Sequence, residues 1–428
     1  MEIVNLHQIN TGDTAWVMLS SILVLLMSLP GIGLFYSGMV RRKNVLATLV
    51  QPFAACAIIS LLWITVGYSL TFSYSPDWIS PWIGGFGDVG LKNLLSHFNE
   101  AFTLGAGQQG AVETRIPESV FVLFQMNFAV IAPALLVGAL AGRTRFSAIC
   151  VFITLWSLCV YVPVAHWVWS PSGWMARMGA IDYAGGTVVH VTSGISGLIA
   201  AYLMGPRKGL GTEDFSPWNL SYTLMGAAFL IVGWFGFNAG SAMGANGRAG
   251  MAILATQASC ASGALMWGIL EWKTVGKPTA LGIVSGALAG LVGITPAAGF
   301  VLPLSALFIG FVTSLACWWS VTRLKPALGY DDTLDAFGIH GVGGILGGVL
   351  TGALACGTLT ASQEDPLGIW GGFSLMGKQA IACGATILWA GLVTVVLYKL
   401  VDFLFSLRVD VDDEHQGMDI TQHGERLN

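Results

Sequence analysis

Charge is what this sequence has least of. Asp, Glu, Lys and Arg together make up 10% of its 428 residues, where soluble globular domains carry about 25%. That scarcity excludes an ordinary soluble enzyme. It also excludes a disordered chain, and it leaves no basic surface for nucleic acid. The seven cysteines (Cys56, Cys150, Cys159, Cys260, Cys317, Cys356 and Cys383) include no CxxC pair. Odd in number and set in apolar stretches, they read as small buried hydrophobes, not as disulfides or metal ligands. The start, MEIVNLHQINTGDT, has no positive n-region and makes a poor signal peptide as written.

What the sequence has in abundance is apolar length. Hydrophobic residues reach 54%, and the mean hydropathy is +0.71. A helix needs about 20 mainly apolar residues to cross a bilayer. Charge-free runs of that order lie at 14–40, 44–76, 119–142, 146–176, 183–206, 215–247, 249–270, 278–322, 336–363 and 379–398. The 278–322 run is broken by TPAAG (295–299) and Pro303, and is long enough for two crossings with a turn between. The expectation is an all-α integral membrane protein with eleven transmembrane helices. Its membrane domain is 1–405, with spans 1–5 at about 14–206, spans 6–10 at about 215–363 and span 11 at about 379–404; a tail follows at 406–428.

The positive-inside rule orients these spans. Loops after spans 1, 3, 5, 7 and 9 carry Arg41, Arg42, Lys43; Arg143, Arg145; Arg207, Lys208; Lys273, Lys277; and Arg323, Lys325. With Lys399, Arg408 and Arg426, one side holds 14 of the 19 basic residues; Lys92, Arg115, Arg177, Arg248 and Lys378 fall on the other. The N-terminus is therefore expected outside and the C-terminus in the cytoplasm.

Glycine, with 56 residues, is concentrated in the spans, as in GIVSGALAG (282–290) and GVGGILGG (341–348). Small side chains let helices approach closely. An internal repeat is also visible. Asp182-Tyr-Ala-Gly-Gly precedes His190, and Asp335-Ala-Phe-Gly precedes His340; GLFYSG (33–38) faces GWFGFNAGS (233–241). Two five-span halves follow, the second inverted relative to the first, with span 11 added outside.

Ionisable groups inside a membrane are costly, so His190 and His340 carry the first functional hypothesis. Either ring alone is accounted for by a bond to a backbone carbonyl, but two at equivalent repeat positions are expected to converge on the axis between the halves. A facing neutral pair can share a proton and still bind a small polar solute. Neither has a metal-ligand partner at i+3 or i+4, which argues against zinc. Phe124 and Phe128 share one face of span 3, and Phe237 and Ser241 one face of span 6. Trp169 sits at the outer end of span 4. These aromatics are either lipid-facing and interfacial bulk or a site whose ring faces attract a cation, with Ser241 as hydrogen-bond acceptor. Asp182 reads as a helix N-cap or as an electrostatic aid to that cation. Gly194-Ile-Ser196-Gly and the His340 helix resemble a serine-protease GxSG and HxxGxxxG pair, and a Ser196–His340 dyad is the distant alternative.

Five segments resemble the ammonium transporter (Amt/Mep/Rh) family, in order and over nearly the whole length: PGIGLFYSGMVRRKN (30–44), DYAGGTVVHVTSG (182–194), GWFGFNAGSAMGAN (233–246), VSGALAGLVGITPAAG (284–299) and DAFGIHGVGG (335–344). The resemblance implies paired pore histidines at His190 and His340 and a stacked gate at Phe128 and Phe237, with Phe124 close above. It implies an outer ammonium-recruitment site at Trp169 and Ser241, supported by Asp182. Trp169 makes the sequence similar to the Amt type, since Rh-type members usually lack it. The outer loop 77–118 matches no motif, and the acidic tail LRVDVDDEHQGMDITQHGE (407–425) resembles family tails.

By the same resemblance the protein is expected to take up ammonium or ammonia across the plasma membrane (a bacterial inner membrane), as a homotrimer in the bilayer. No cofactor is implied, and a PII-type regulatory protein is a candidate partner at the cytoplasmic mouth. The implied path is recruitment of the cation, loss of its proton near Asp182 and the gate, and passage of neutral ammonia to the histidine pair. A sensor that binds ammonium but conducts little, signalling through a partner, is the second reading.

Overall fold

The computed structural model describes residues 8–361 and 367–427. The MEIVNLH start, the last two positions of the 336–363 run and Asn428 lie outside the described residues. The chain is helical almost throughout: α1 Thr11–Met39, α2 Arg42–Phe72, α3 Glu118–Leu140, α4 Phe146–Met178, α5 Gly186–Met204, α6 Leu220–Gly240, α7 Gly247–Val275, α8 Ala280–Ile294, α9 Pro303–Leu328, α10 Phe337–Leu354 and α11 Phe373–Phe405. Among the described residues, ten of these are long and apolar enough to cross a membrane. The other, α8, is apolar but has 15 residues, about 22 Å at 1.5 Å per residue against a hydrocarbon core of about 30 Å.

Uncharged sequence runs overshoot helices where turns are also uncharged. The 215–247 run contains α6 and then the turn SAMGAN, whose Asn246 side chain accepts the Ala249 N–H and starts α7. Asn219 starts α6 in the same way, accepting from Ser221 and Tyr222. The 278–322 run divides into α8 and α9 around 295–302. Conversely, α11 reaches beyond 379–398 at both ends, because Lys378 and Lys399 are accommodated in its flanking turns.

Glycine sets how closely the helices pack. A Cβ at Gly263, Gly286 or Gly310 would overlap the backbone of a neighbour within the α7–α8–α9 group. Six helices carry one π-helical turn each, at Met27–Gly31, Trp63–Gly67, Ser157–Tyr161, Gly186–Val191, Ser320–Leu324 and Phe337–Gly341. The first contains Pro30, which has no N–H to give the ladder. Such turns widen a helix locally and concentrate at functional sites.

The two faces of the bundle differ. Between α2 and α3 a long connection carries two short antiparallel strands, β1 Thr103–Leu104 and β2 Val112–Glu113. His166 of α4 ties this connection down, with its ring nitrogens 2.6 Å from the Thr71 carbonyl and 2.7 Å from that of Ser80. On the other face the tail forms α12 (Val411–Gln416) and α13 (Met418–His423). It binds the ends of several helices: Asp419 accepts the Ala47 N–H, Asn44 that of Met418, Gln422 that of Phe146 and Glu414 that of Lys208.

Candidate functional site

His190 and His340 each sit in a π-helical turn that opens a helix, α5 and α10 respectively. A helix start leaves backbone N–H groups unpaired. Asp182 takes up four of them: Oδ1 accepts from Gly185 and Gly186, and Oδ2 from Thr187 and Val188, at 2.7 to 3.1 Å. In the second half the equivalent carboxylate is Asp332, which accepts from Ala336 at 3.1 Å and Phe337 at 2.7 Å.

This corrects the pairing of Asp182 with Asp335 drawn from the sequence. Asp335 instead bonds Lys325 at 2.7 Å and takes a left-handed φ of +57°. It occupies the place of Gly185, whose φ is +105°. The interval from Asp332 to His340 equals that from Asp182 to His190, and this spacing was the usable signal. The resemblance of YAGG to AFG set the register wrongly.

The two helix starts lean on each other through glycine. A Cβ on Gly194 would overlap the backbone of Gly341, and one on Gly344 would fall 2.7 Å from the Gly186 carbonyl oxygen and 3.0 Å from His190 Cβ. This contact brings the two rings together. Their Nδ1 atoms are 3.2 Å apart and their planes 21° from parallel. Trp234 stacks on His190 with centroids 5.5 Å apart, its own Nε1 donating to Thr295 Oγ1 at 2.9 Å. Among the described residues His190 Nε2 has no hydrogen-bond partner.

Next to the histidines, Phe128 and Phe237 stack at 4.2 Å and 18°. Phe124 packs on Phe128 at 4.9 Å, and Trp169 meets it edge-on at 5.7 Å and 83°. Ser241 Oγ donates to the Phe237 carbonyl at 3.1 Å, which leaves its lone pairs free. Trp169 Nε1 donates to the Asp182 carbonyl at 2.9 Å. The structure thus brings all eight expected residues into one assembly. Asp182 stands behind the wall: both carboxylate oxygens are taken by the backbone, so it holds Trp169 and the His190 turn in place.

Three cavities run through this assembly. The first, about 150 Å³, lies on the β1–β2 side and is lined by Phe72, Leu104, Thr114, Gln125, Phe128, Trp169, Tyr183 and Ser241 among others. The connection that matched no motif therefore builds part of this wall. The second, about 20 Å³, lies beyond the phenylalanine stack and is lined by His190, His340, Trp234, Phe237 and Tyr36. The third, about 210 Å³, shares Tyr36 and His340 with the second and opens past Ser285, Glu271 and Asp335. The sequence reading missed Gln125, Tyr183, Trp234 and Asp332. Gln125 was visible as a polar residue in the apolar run of span 3.

The protease-like arrangement is absent. Ser196 Oγ bonds Trp156 Nε1 and Thr394 Oγ1, each at 2.8 Å, and the partner of His340 is His190.

The three cavities line up along one narrow passage with aromatic rings at one end and the two histidines within it. Comparison with known proteins gives the family. Residues 15–427 match the family model described as Ammonium Transporter Family. An ammonium transporter of Bacillus subtilis is 45% identical over 97% of this chain and 98% of its own length. The crystal structure of Saccharomyces cerevisiae Mep2 superposes with a TM-score of 0.85 at 36% identity, covering 95% of this chain and 89% of that one. A sensor Amt protein superposes with a TM-score of 0.85 at 26% identity, over 99% and 100%. The chain belongs to the ammonium transporter family, a family of multi-pass membrane transporters and not of enzymes.

Proposed function

We propose that this protein takes up ammonium selectively through the path between Trp169 and Asp335. The observation that carries the reading is the Phe128–Phe237 stack set directly against the His190–His340 pair, between an aromatic-lined mouth and a cavity the size of one small molecule. A bare cation pays a large desolvation cost in such a space. The cation is held at the mouth by the faces of Trp169 and Phe128 and by Ser241. Its proton passes to water at the outer mouth, neutral ammonia passes the phenylalanines, and the imidazoles receive the ammonia. Asp182, with its oxygens filled, positions the site and is not the proton acceptor. Potassium has no proton to give and is rejected.

In this reading the β1–β2 side faces outward and the tail lies in the cytoplasm beneath a plasma membrane, an orientation supported by the excess of Lys and Arg on the tail side. In this reading α8 and the turn at 295–302 complete an eleventh crossing, and α1–α5 and α6–α10 form an inverted repeat. By resemblance the working unit is a homotrimer with one path per subunit, and the cytoplasmic mouth is where a PII-type protein would dock. The structural likeness to a sensor Amt protein favours, as second reading, a sensor that binds ammonium, conducts little and signals through a partner.

Purified protein in liposomes distinguishes them. An ammonium jump is expected to give a current or an internal pH change that potassium does not give. Binding without either signal replaces transport by sensing.

A further inference from the structure

Two buried polar atoms at the outer cavity have no hydrogen-bond partner among the described residues: Gln125 Oε1 and Tyr183 Oη. Both residues line that cavity with Phe128, Trp169 and Ser241, and they are only 6% and 8% exposed. Orphaned buried acceptors are rare and costly unless something outside the protein completes them. Gln125 lies one helical turn from Phe128, so the same face of α3 that presents the ring presents the carboxamide. Tyr183 is held by its ring against Phe300 at 5.0 Å and 76°, not by its hydroxyl.

Resting on the transport reading above, we infer that Gln125 Oε1, with Tyr183 Oη on the wall of the same cavity, is a direct hydrogen-bond acceptor for the ammonium ion at the outer mouth. Ammonium is tetrahedral and has four N–H donors. Trp169 and Phe128 supply two ring faces and Ser241 one oxygen, which leaves one donor without a fixed partner. Gln125 fills that place and Tyr183 offers a second oxygen for reorientation. A site that satisfies all four donors prefers ammonium over methylammonium, which has exchanged one N–H for a methyl group. The ring faces alone would not discriminate in that direction, since they attract cations of either kind. Gln125 is then a specificity-determining residue.

The test uses the purified full chain and its Gln125→Met and Tyr183→Phe variants, each near-isosteric with the wild type. Ammonium chloride and methylammonium chloride binding are followed by calorimetry, and ammonium flux is followed separately in liposomes. Gln125→Met is expected to weaken ammonium binding about tenfold or more, as loss of a hydrogen bond to a charged group does. Methylammonium binding should change far less, so the ratio between the two falls. Tyr183→Phe should give the same pattern, smaller. Equal weakening toward both cations, or unchanged ammonium binding in a folded Gln125→Met protein, overturns the inference. Gln125→Glu keeps an acceptor, and should bind ammonium at least as well as Gln125→Met if folding is not at issue; failure to do so also overturns it. Flux and binding report separately: a wild type that binds ammonium without carrying it removes the transport reading and leaves the acceptor role to the binding data.

Discussion

The Nδ1 atoms of His190 and His340 face each other at 3.2 Å. Nitrogen facing nitrogen at that distance forces opposite tautomers on two neutral rings: one Nδ1 donates and the other accepts. The pair then presents an Nε2 lone pair at one end and an Nε2–H at the other. Two otherwise identical side chains thus acquire a direction. A molecule with both donors and a lone pair, such as ammonia, can bond to either end.

Replacing either ring removes that complementarity. His190→Leu and His340→Leu are each expected to lower liposome ammonium flux more than tenfold, or to make it leak other cations. Flux and potassium rejection unchanged in the double variant would end any role for the pair.

Phe237 stacks on Phe128 at 4.2 Å, between the first two cavities. Phe237→Ala would join the first two cavities into one wet passage. A potassium or proton current absent from the wild type is expected, read by the same liposome recording. A tight, still selective Phe237→Ala protein would show that the barrier lies elsewhere.

Asp182 accepts four backbone N–H groups and Asp332 two. Each buried donor left unpaired costs roughly 1–3 kcal/mol. Asp182→Ala should therefore lower the melting temperature in detergent more than Asp332→Ala does. Asp182→Asn, which keeps one acceptor oxygen, should fall between Asp182→Ala and wild type. Melting of all three variants at the wild-type temperature would mean that the capping bonds contribute nothing measurable.

Near the tail, Asp331 accepts Arg207 Nε at 2.8 Å and Arg207 Nη2 at 2.7 Å, with Arg143 Nη1 at 3.6 Å. Burial pulls its pKa up, but the Arg207 hydrogen bonds and the Arg143 charge prevail and hold it below the usual carboxylate range. The contribution to stability is full above the unfolded-state value of about 3.9 and is lost as pH falls through the folded one. Melting temperature should drop in acid, and Asp331→Asn should melt lower at neutral pH and lose that acid-dependent drop. Removing one partner of a buried pair costs about 3 kcal/mol or more. An unaltered pH profile in Asp331→Asn would assign the acid sensitivity to another group.

The helices were legible because apolar length marks a span, and His190 and His340 stood out as polar exceptions at similar places in two spans. Phe124, Phe128, Trp169, Phe237, Ser241 and Asp182 stayed open on residues alone and entered through the family resemblance; the structure brings all eight together. What stayed hidden depends on distant partners. Asp332 was passed over for Asp335 because a cap is defined by which N–H groups the carboxylate reaches, and the local DDTLDAFGIH string offers three candidates. Tyr183 and Gln125 become meaningful only when three other helices close the cavity around them. The β1–β2 connection has no periodicity to read, and its part in the outer wall comes from the strap that His166 secures. The turn boundaries at Ser241 and Asn246 failed for a simpler reason, since uncharged turns and uncharged helices look alike to a charge count.

The tail has a consequence for how the molecule comes to be assembled. Asp419 binds Ala47 across 372 positions of chain, and Asn44 binds Met418 across 374. Contacts of such sequence separation close late, after nearly everything between them has been inserted and paired. Until then the start of α2, the start of α4 and the end of α5 lack the partners that α12 and α13 later give them. The tail side of the bundle is therefore finished last, and a chain arrested before residue 414 would leave the earliest helices unlatched.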